Sequence, residues 1–284
     1  MSREIRLALV QSASVDSMAD FGRQLSELTA AHPRTDLFIF PEFHTISAVD
    51  AAELAQPLDG SLTRAFAELA RKHEIWLVPG TFFERGGSGE VYNTVTVFSP
   101  AGELAASYRK VFPWRPVESS APGDRFVVFP IMGGVAGLLI CYDTWFPEAS
   151  RQLAWMGAEF LINVVMTPTD DREQEIVLAR SNAIVNQVFL ANVNAAAPRA
   201  LGRSLVVDPQ GRVISGTDGA QPVVLAATID LDEVTRARRE GTAGVTRPWN
   251  QFREGDAPIA LPVYGGAIQP SAWQPPAPGQ IRSH

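Results

Sequence analysis

Three side chains stand out for chemistry: one cysteine, one crowded lysine and one strand-end glutamate. Cys141 is the single cysteine of the 284-residue chain. It follows the apolar run 135–140, and Tyr142-Asp143-Thr144-Trp145-Phe146-Pro147-Glu148 then reads as a turn into a helix. Active sites gather at the carboxyl ends of strands in α/β folds. A thiol there is open to a substrate, and turn amides can meet a developing oxyanion. An isolated cysteine fits equally as a small core hydrophobe. Glu42 ends the apolar run 37–40, beside Phe38, Phe40 and Phe43. Apolar neighbours would desolvate its carboxylate, raise its pKa and make it a base near neutral pH. A solvated strand-end glutamate is the alternative. Lys110 sits in Tyr108-Arg109-Lys110-Val111-Phe112-Pro113-Trp114-Arg115-Pro116-Val117-Glu118. A lysine among bulky side chains needs an anion close by, and Glu42 or a reacting oxyanion would serve.

The composition sharpens the interest in Lys110. Of 24 basic residues, 22 are Arg, and Lys occurs only at 72 and 110. A chain that uses Arg for general positive charge keeps Lys where a compact, tunable ammonium is wanted. Lys72 sits in the polar stretch Arg71-Lys72-His73-Glu74, where a solvated helix end explains it.

Other chemistries lack their residues. His occurs only at 32, 44, 73 and 284, with no His-Glu-x-x-His pairing, and one cysteine cannot build a thiolate zinc site. No Gly-x-Ser-x-Gly follows a strand, and no phosphate-binding glycine loop opens a helix. Gly86-Gly87-Ser88-Gly89 reads as a hairpin loop. No metal and no cofactor are implied. The net charge of −7 argues against a nucleic-acid partner. No run of apolar residues is long enough to span a membrane, and no secretory signal pattern opens the chain. With one cysteine and no possible intrachain disulfide, a cytoplasmic location is expected.

These residues must be positioned by short strands alternating with helices. Strands are predicted at 5–10, 36–40, 75–79, 91–98, 135–140, 160–165, 188–194, 203–208 and 223–229. Several are apolar on both faces, as covered strands are. At 91–98, Asn93 shares one parity with Val91, Val95 and Val97. Helices are predicted at 18–31, 61–73 with Ser61 as cap, 147–157 with Pro147 in its first turn, and 170–187. The interleaving gives the α/β class. We expect one domain over 1–265 and a Pro-rich tail over 266–284.

Taken together, Phe40-Pro41-Glu42, Tyr108-Arg109-Lys110 and Cys141-Tyr142-Asp143-x-x-Phe146-Pro147-Glu148 resemble, in order, the three signatures of the nitrilase superfamily of carbon–nitrogen hydrolases. Asn192-x-Asn194-Ala195-Ala196 and Gly202-x-Ser204-x-x-x-Asp208-Pro209-x-Gly211 resemble its later strands. The resemblance implies a four-layer αββα sandwich whose subunits pair through helices into a homodimer or larger homo-oligomer, with 147–157 and 170–187 as the candidate surface. It implies cysteine-dependent hydrolysis of a small amide through a thioester, releasing ammonia or amine and an acid. Lys110-x-x-Pro113-Trp114-x-Pro116-x-Glu118 is most similar to the aliphatic amidase and formamidase branch, in which a second glutamate eight positions after the lysine joins the site. The chain departs from that branch in having Phe43, where tyrosine is usual, and a short Pro-rich end.

The expected catalytic residues are therefore Glu42, Lys110, Cys141 and Glu118. Tyr142 would offer its backbone N–H to the oxyanion. Phe43, Trp114, Trp145, Met166 and Thr167 would wall the substrate pocket. Arg172, Arg247 and Trp249 are further candidates for a substrate's polar end. The alternatives are an N-carbamoyl hydrolase or nitrilase using the same three residues, an acyltransferase, and a catalytically inactive binding scaffold.

Overall fold

The computed structural model describes residues 3–46, 51–261, 266–268 and 277–281. One sheet is built from β1 (Glu4–Gln11), β2 (Leu37–Ile39), β3 (Trp76–Val78), β4 (Thr81–Arg85), β5 (Val91–Phe98) and β6 (Leu104–Arg109). The second comprises β7 (Val128–Ile131), β8 (Gly134–Ile140), β9 (Phe160–Val165), β10 (Phe189–Asn194), β11 (Leu205–Val207) and β12 (Val213–Gly216). The chain then returns to the first sheet through β13 (Val223–Asp230), which pairs antiparallel with β1 from end to end. The first sheet runs β13-β1-β2-β3-β5-β4, with β6 also on β5; the second runs β12-β11-β10-β9-β8-β7. β1, β2 and β3 are mutually parallel, as are β8, β9 and β10. Their carboxyl ends therefore point the same way within each sheet.

The helices are α1 (Met18–Ala31), α2 (Ala51–Leu54), α3 (Ser61–His73), α4 (Pro147–Trp155), α5 (Arg172–Asn186) and α6 (Asp232–Glu240). Strand alternation sorts the side chains into four layers. Leu7, Leu9, Ile39, Val95 and Val97 of the first sheet meet Leu138, Ile140, Ile162, Val164 and Val193 of the second in one buried core. Ala8, Val10, Phe38, Phe40 and Leu77 turn the other way, onto Phe21 and Leu25 of α1 and Phe66 and Ala70 of α3. Leu139, Leu161 and Leu190 turn out onto Ala149 and Leu153 of α4 and Ala179 and Ala183 of α5. The expected αββα sandwich is the fold.

Details differ from expectation at several places. Gly60, in an extended conformation, is the cap residue of α3, and Ser61 is its first helical residue. Phe38 and Phe40 belong to the helix-facing cluster, so they do not supply the dry surroundings expected for Glu42. Residues Gly266–Ile268, at the start of the predicted tail, form β15, which pairs antiparallel with β14 (Ile259–Leu261). Among the described residues no helix is long and apolar enough to cross a membrane.

The inter-sheet core should dominate stability. Ile162 is fully buried in it. Ile162→Ala should cost about 2–5 kcal/mol, read as a lower midpoint in chemical denaturation. An unchanged midpoint would contradict this placement.

Candidate active site

The site lies where the ends of the two sheets face each other. Glu42 follows β2, Lys110 follows β6, and Cys141 follows β8. Gly80 makes the first of these turns possible. Its φ is +89°, and a Cβ there would stand 2.1 Å from the Pro41 carbonyl oxygen, so only glycine lets the Pro41–Glu42 turn lie so close.

Glu42 is 2% exposed and its carboxylate is fully engaged. Oε1 accepts from Asn93 Nδ2 at 2.7 Å and from Lys110 Nζ at 3.1 Å. Oε2 accepts from the Met166 backbone N–H at 3.0 Å. Lys110 has no solvent exposure and also donates to Glu118 Oε1 at 2.5 Å. Glu118 Oε2 is buried and has no hydrogen-bond partner among the described residues. Arg115 pins the loop that carries Glu118 by donating to the carbonyls of Glu118 and Ser120.

Burial and charge set the protonation. Burial, reinforced by Glu118, raises the Glu42 pKa to about 7 against the opposing pull of Lys110. Burial alone would lower the Lys110 pKa, but Glu42, Cys141 and Glu118 raise it, so the ammonium form holds. Burial and the Glu42 charge raise the Cys141 thiol well above its ordinary value, and the Lys110 charge opposes them. The sulfur therefore rests as a thiol, within the electrostatic reach of Glu42 and Lys110. His44, two residues beyond Glu42, is no rival base. It packs against Ser12 and Gln24, and burial together with Arg199 lowers its pKa to about 3.

Cys141 opens a short 3₁₀ turn, Cys141–Trp145, with φ of +45°. A non-glycine residue in this region is strained by about 1–3 kcal/mol and needs its surroundings to hold it. Asp143 supplies much of that hold. Its buried carboxylate accepts from the Ile140 and Phe112 backbone N–H groups, both at 2.9 Å, and from the Tyr108 hydroxyl at 2.8 Å. Burial outweighs these donors and raises the Asp143 pKa to about 6. Thr144 Oγ1 donates to the Cys141 carbonyl, and Asn182 of α5 donates to the Thr144 carbonyl.

Above the cysteine lies a shallow, open hollow lined by Trp114, Tyr142, Trp145, Met166, Thr167 and Asp171 among others. Four of the five expected wall residues are there, together with Tyr142. Phe43 is not; it packs with Ile46 and Phe82, with Met166 against the same cluster. Arg172 does not reach the hollow either. It is fully buried, bonded to Glu175 and to the Gly202 and Arg203 carbonyls. Trp249 is buried under the second sheet, donating to the Asn186 carbonyl. Two residues near the chemistry escaped the sequence reading. Asn93 was visible as an amide in an otherwise apolar row. Glu175, three residues after Arg172 on α5, carries no signal in the sequence that marks it as buried. Among the described residues no group of three or more His, Cys, Asp or Glu could hold a metal ion.

Comparison with known proteins gives the family and supports the fold. Residues 6–239 match the carbon-nitrogen hydrolase family. An (R)-stereoselective amidase from a Pseudomonas species is 36% identical over 252 residues, 83% of this chain and 89% of that one. A formamidase from Bacillus cereus is 32% identical over 197 residues, 64% of this chain, and the match spans 59% of the formamidase. Among solved structures, Saccharomyces cerevisiae Nit3, a member of branch 10 of the nitrilase superfamily, superposes with a TM-score of 0.75 at 28% identity, covering 83% of this chain and 93% of Nit3. The chain belongs to the carbon-nitrogen hydrolase family.

Proposed function

We propose that this protein hydrolyses the carbon–nitrogen bond of small amides, with Cys141 as nucleophile and Glu42, Lys110 and Glu118 around it. The observation that carries the reading is the buried Lys110–Glu42 pair, 3.1 Å long, whose two charges both act on the single cysteine. The amidase and formamidase relatives support an amide as the substrate class.

The reaction follows from the protonation states. Glu42 takes the thiol proton as the sulfur attacks the amide carbon. The carbonyl π electrons move to oxygen, where the Lys110 ammonium and the Tyr142 backbone N–H meet the negative charge. One such donor contributes about 3 kcal/mol in the transition state. Glu42 returns the proton to the amide nitrogen, the carbon–nitrogen bond breaks, and ammonia or amine leaves a thioester on Cys141. Water then gives a proton to Glu42 and attacks the thioester. The carbon–sulfur bond breaks, the proton passes to sulfur, and the acid departs. The unpartnered Glu118 Oε2 is an acceptor for the N–H₂ of a primary amide. A nitrile has no such group, which favours amides. The hollow over Cys141, walled by Trp114, Tyr142, Trp145, Met166 and Thr167, would hold the acyl part.

Two finer points belong to the same reading. Its single cysteine suits a reducing compartment such as the cytoplasm. Subunit pairing through helices is supported by Val177, Ile184 and Val185, which are exposed on α5.

The test is ammonia release over a graded series from formamide to aryl and N-carbamoyl amides, with carbon dioxide scored alongside. We expect ammonia from simple amides without carbon dioxide; release of both only from carbamoyl compounds would overturn the amide reading. Cys141→Ala should abolish turnover while the protein stays folded, and more than a trace of activity would remove Cys141 as nucleophile. Cys141→Ser should be nearly inactive, because Glu42 would have to deprotonate a far weaker acid. Lys110→Arg should lose about a hundredfold or more in kcat, since a planar guanidinium cannot take the place of a buried ammonium. A normal rate there would exclude Lys110 from the site. Glu42 must be ionised to act as base, so kcat/KM should decline as the pH falls through about 7. A profile flat from pH 5 to 8 would contradict that role.

A further inference from the structure

The sulfur of Cys141 has a second neighbour that the reaction above does not use. Thr167, in the loop after β9, places Oγ1 3.7 Å from Sγ. The Thr167 backbone is held independently, its N–H donating to Asn194 Oδ1 at 2.9 Å. Its hydroxyl donates to Glu175 Oε2 at 2.9 Å. Glu175 is 1% exposed, and the same oxygen accepts from Arg172 Nη1 at 2.6 Å. Arg172, itself without exposure, is locked by the Gly202 and Arg203 carbonyls at 3.0 and 2.8 Å. The carboxylate is thus fixed in place as an acceptor.

A hydroxyl has one proton. If Thr167 gives it to Glu175, only lone pairs remain to face the sulfur. A thiol can donate into them, whereas a thiolate would meet them lone pair to lone pair. We infer that Glu175 is a positioning residue for Cys141: through Thr167 it fixes the direction of the hydrogen bond at the sulfur, so that the resting nucleophile is held as a thiol with its S–H towards Thr167. The inference rests on the reading of Cys141 as nucleophile. It makes thiolate formation wait for Glu42, and so ties activation of the sulfur to the base that also serves the leaving group. The charged groups acting on the sulfur are Glu42 from the turn after β2, Lys110 after β6, Glu118 from the following loop and Glu175 from α5. Of the three carboxylates, Glu42 and Glu118 bond directly to Lys110, whereas Glu175 reaches the sulfur through a hydroxyl.

The single cysteine makes the test clean, because every alkylation event reports on Cys141. We would measure iodoacetamide alkylation at pH 8 in the full-length protein. Thr167→Val removes the acceptor and leaves the Glu175–Arg172 pair intact. Its alkylation should be about three- to tenfold faster than wild type, as expected for loss of one hydrogen bond that favours the thiol. Thr167→Ser keeps the hydroxyl and should match wild type. Glu175→Gln, which weakens the acceptor for Thr167, should accelerate alkylation like Thr167→Val. If the buried Arg172 makes that variant fail to fold, Glu175→Gln with Arg172→Met carries the same expectation. Simple loosening of the pocket predicts the opposite order, with the smaller serine alkylated faster than valine. That order, or a wild-type rate in Thr167→Val, or an unchanged or slower rate in the folded Glu175 variant, would overturn the inference. Amide turnover is a separate readout: its absence in the wild-type protein would count against the proposed function, whereas the alkylation order bears on the hydrogen-bond direction alone.

Discussion

A lysine ammonium with no access to water must be met by negative charge. The Lys110 side chain is fully buried, and Glu42 and Glu118 meet it at 3.1 and 2.5 Å. Removing one partner from such a pair typically costs about 3–5 kcal/mol, because a buried charge is left without compensation. The surrounding architecture can be read as what this arrangement requires. Asn93 and the Met166 amide take up the remaining lone pairs of Glu42. Arg115 holds the loop that delivers Glu118. The two sheets bring the turn after β2, the end of β6 and the end of β8 to one place. Burial, with the neighbouring carboxylates and against the pull of Lys110, raises the Glu42 pKa to about 7 and leaves Cys141 a thiol.

This site therefore differs from one that stores a ready thiolate. Lys110 stabilises negative charge nearby, yet Glu42 holds a proton acceptor on the same lysine, and burial disfavours the bare thiolate. In the proposed reaction, sulfur activation and proton transfer belong to one step, and the ammonium meets the oxyanion. The strained turn at Cys141 serves the same end. Asp143, Thr144 and Asn182 tie its backbone down at several points, so the sulfur is presented at a fixed position between the two sheets.

Much of this was legible from residue types alone. The two-sided apolar strands at 135–140, 160–165 and 188–194 announced covered sheets, and each does face both another sheet and a helix layer. Glu42, Lys110 and Cys141 were legible because each breaks an apolar context at a strand or loop end. Other features were hidden for physical reasons. β6 contains Ala105, Ala106 and Ser107 and lacks the apolar alternation that marks a strand. α6 is mostly charged, and only Val234, Ala237 and Arg238 are buried. Phe38 and Phe40 were read as neighbours of Glu42, but strand parity turns them towards α1 and α3. Arg172 and Glu175, three residues apart on α5, have the spacing of an ordinary exposed pair. Their burial depends on the β10–β11 connection folding over them, which local sequence does not reveal.

In the proposed function, the cysteine, the ammonium and the carboxylate act together on an amide through a covalent intermediate. Intact-mass and peptide mass spectrometry of the protein, quenched during turnover of a small amide, tests this most directly. One acyl group per chain is expected, on the peptide that contains Cys141, disappearing as substrate is exhausted. Steady hydrolysis with no acyl group on that peptide, or with one mapped elsewhere, would contradict it.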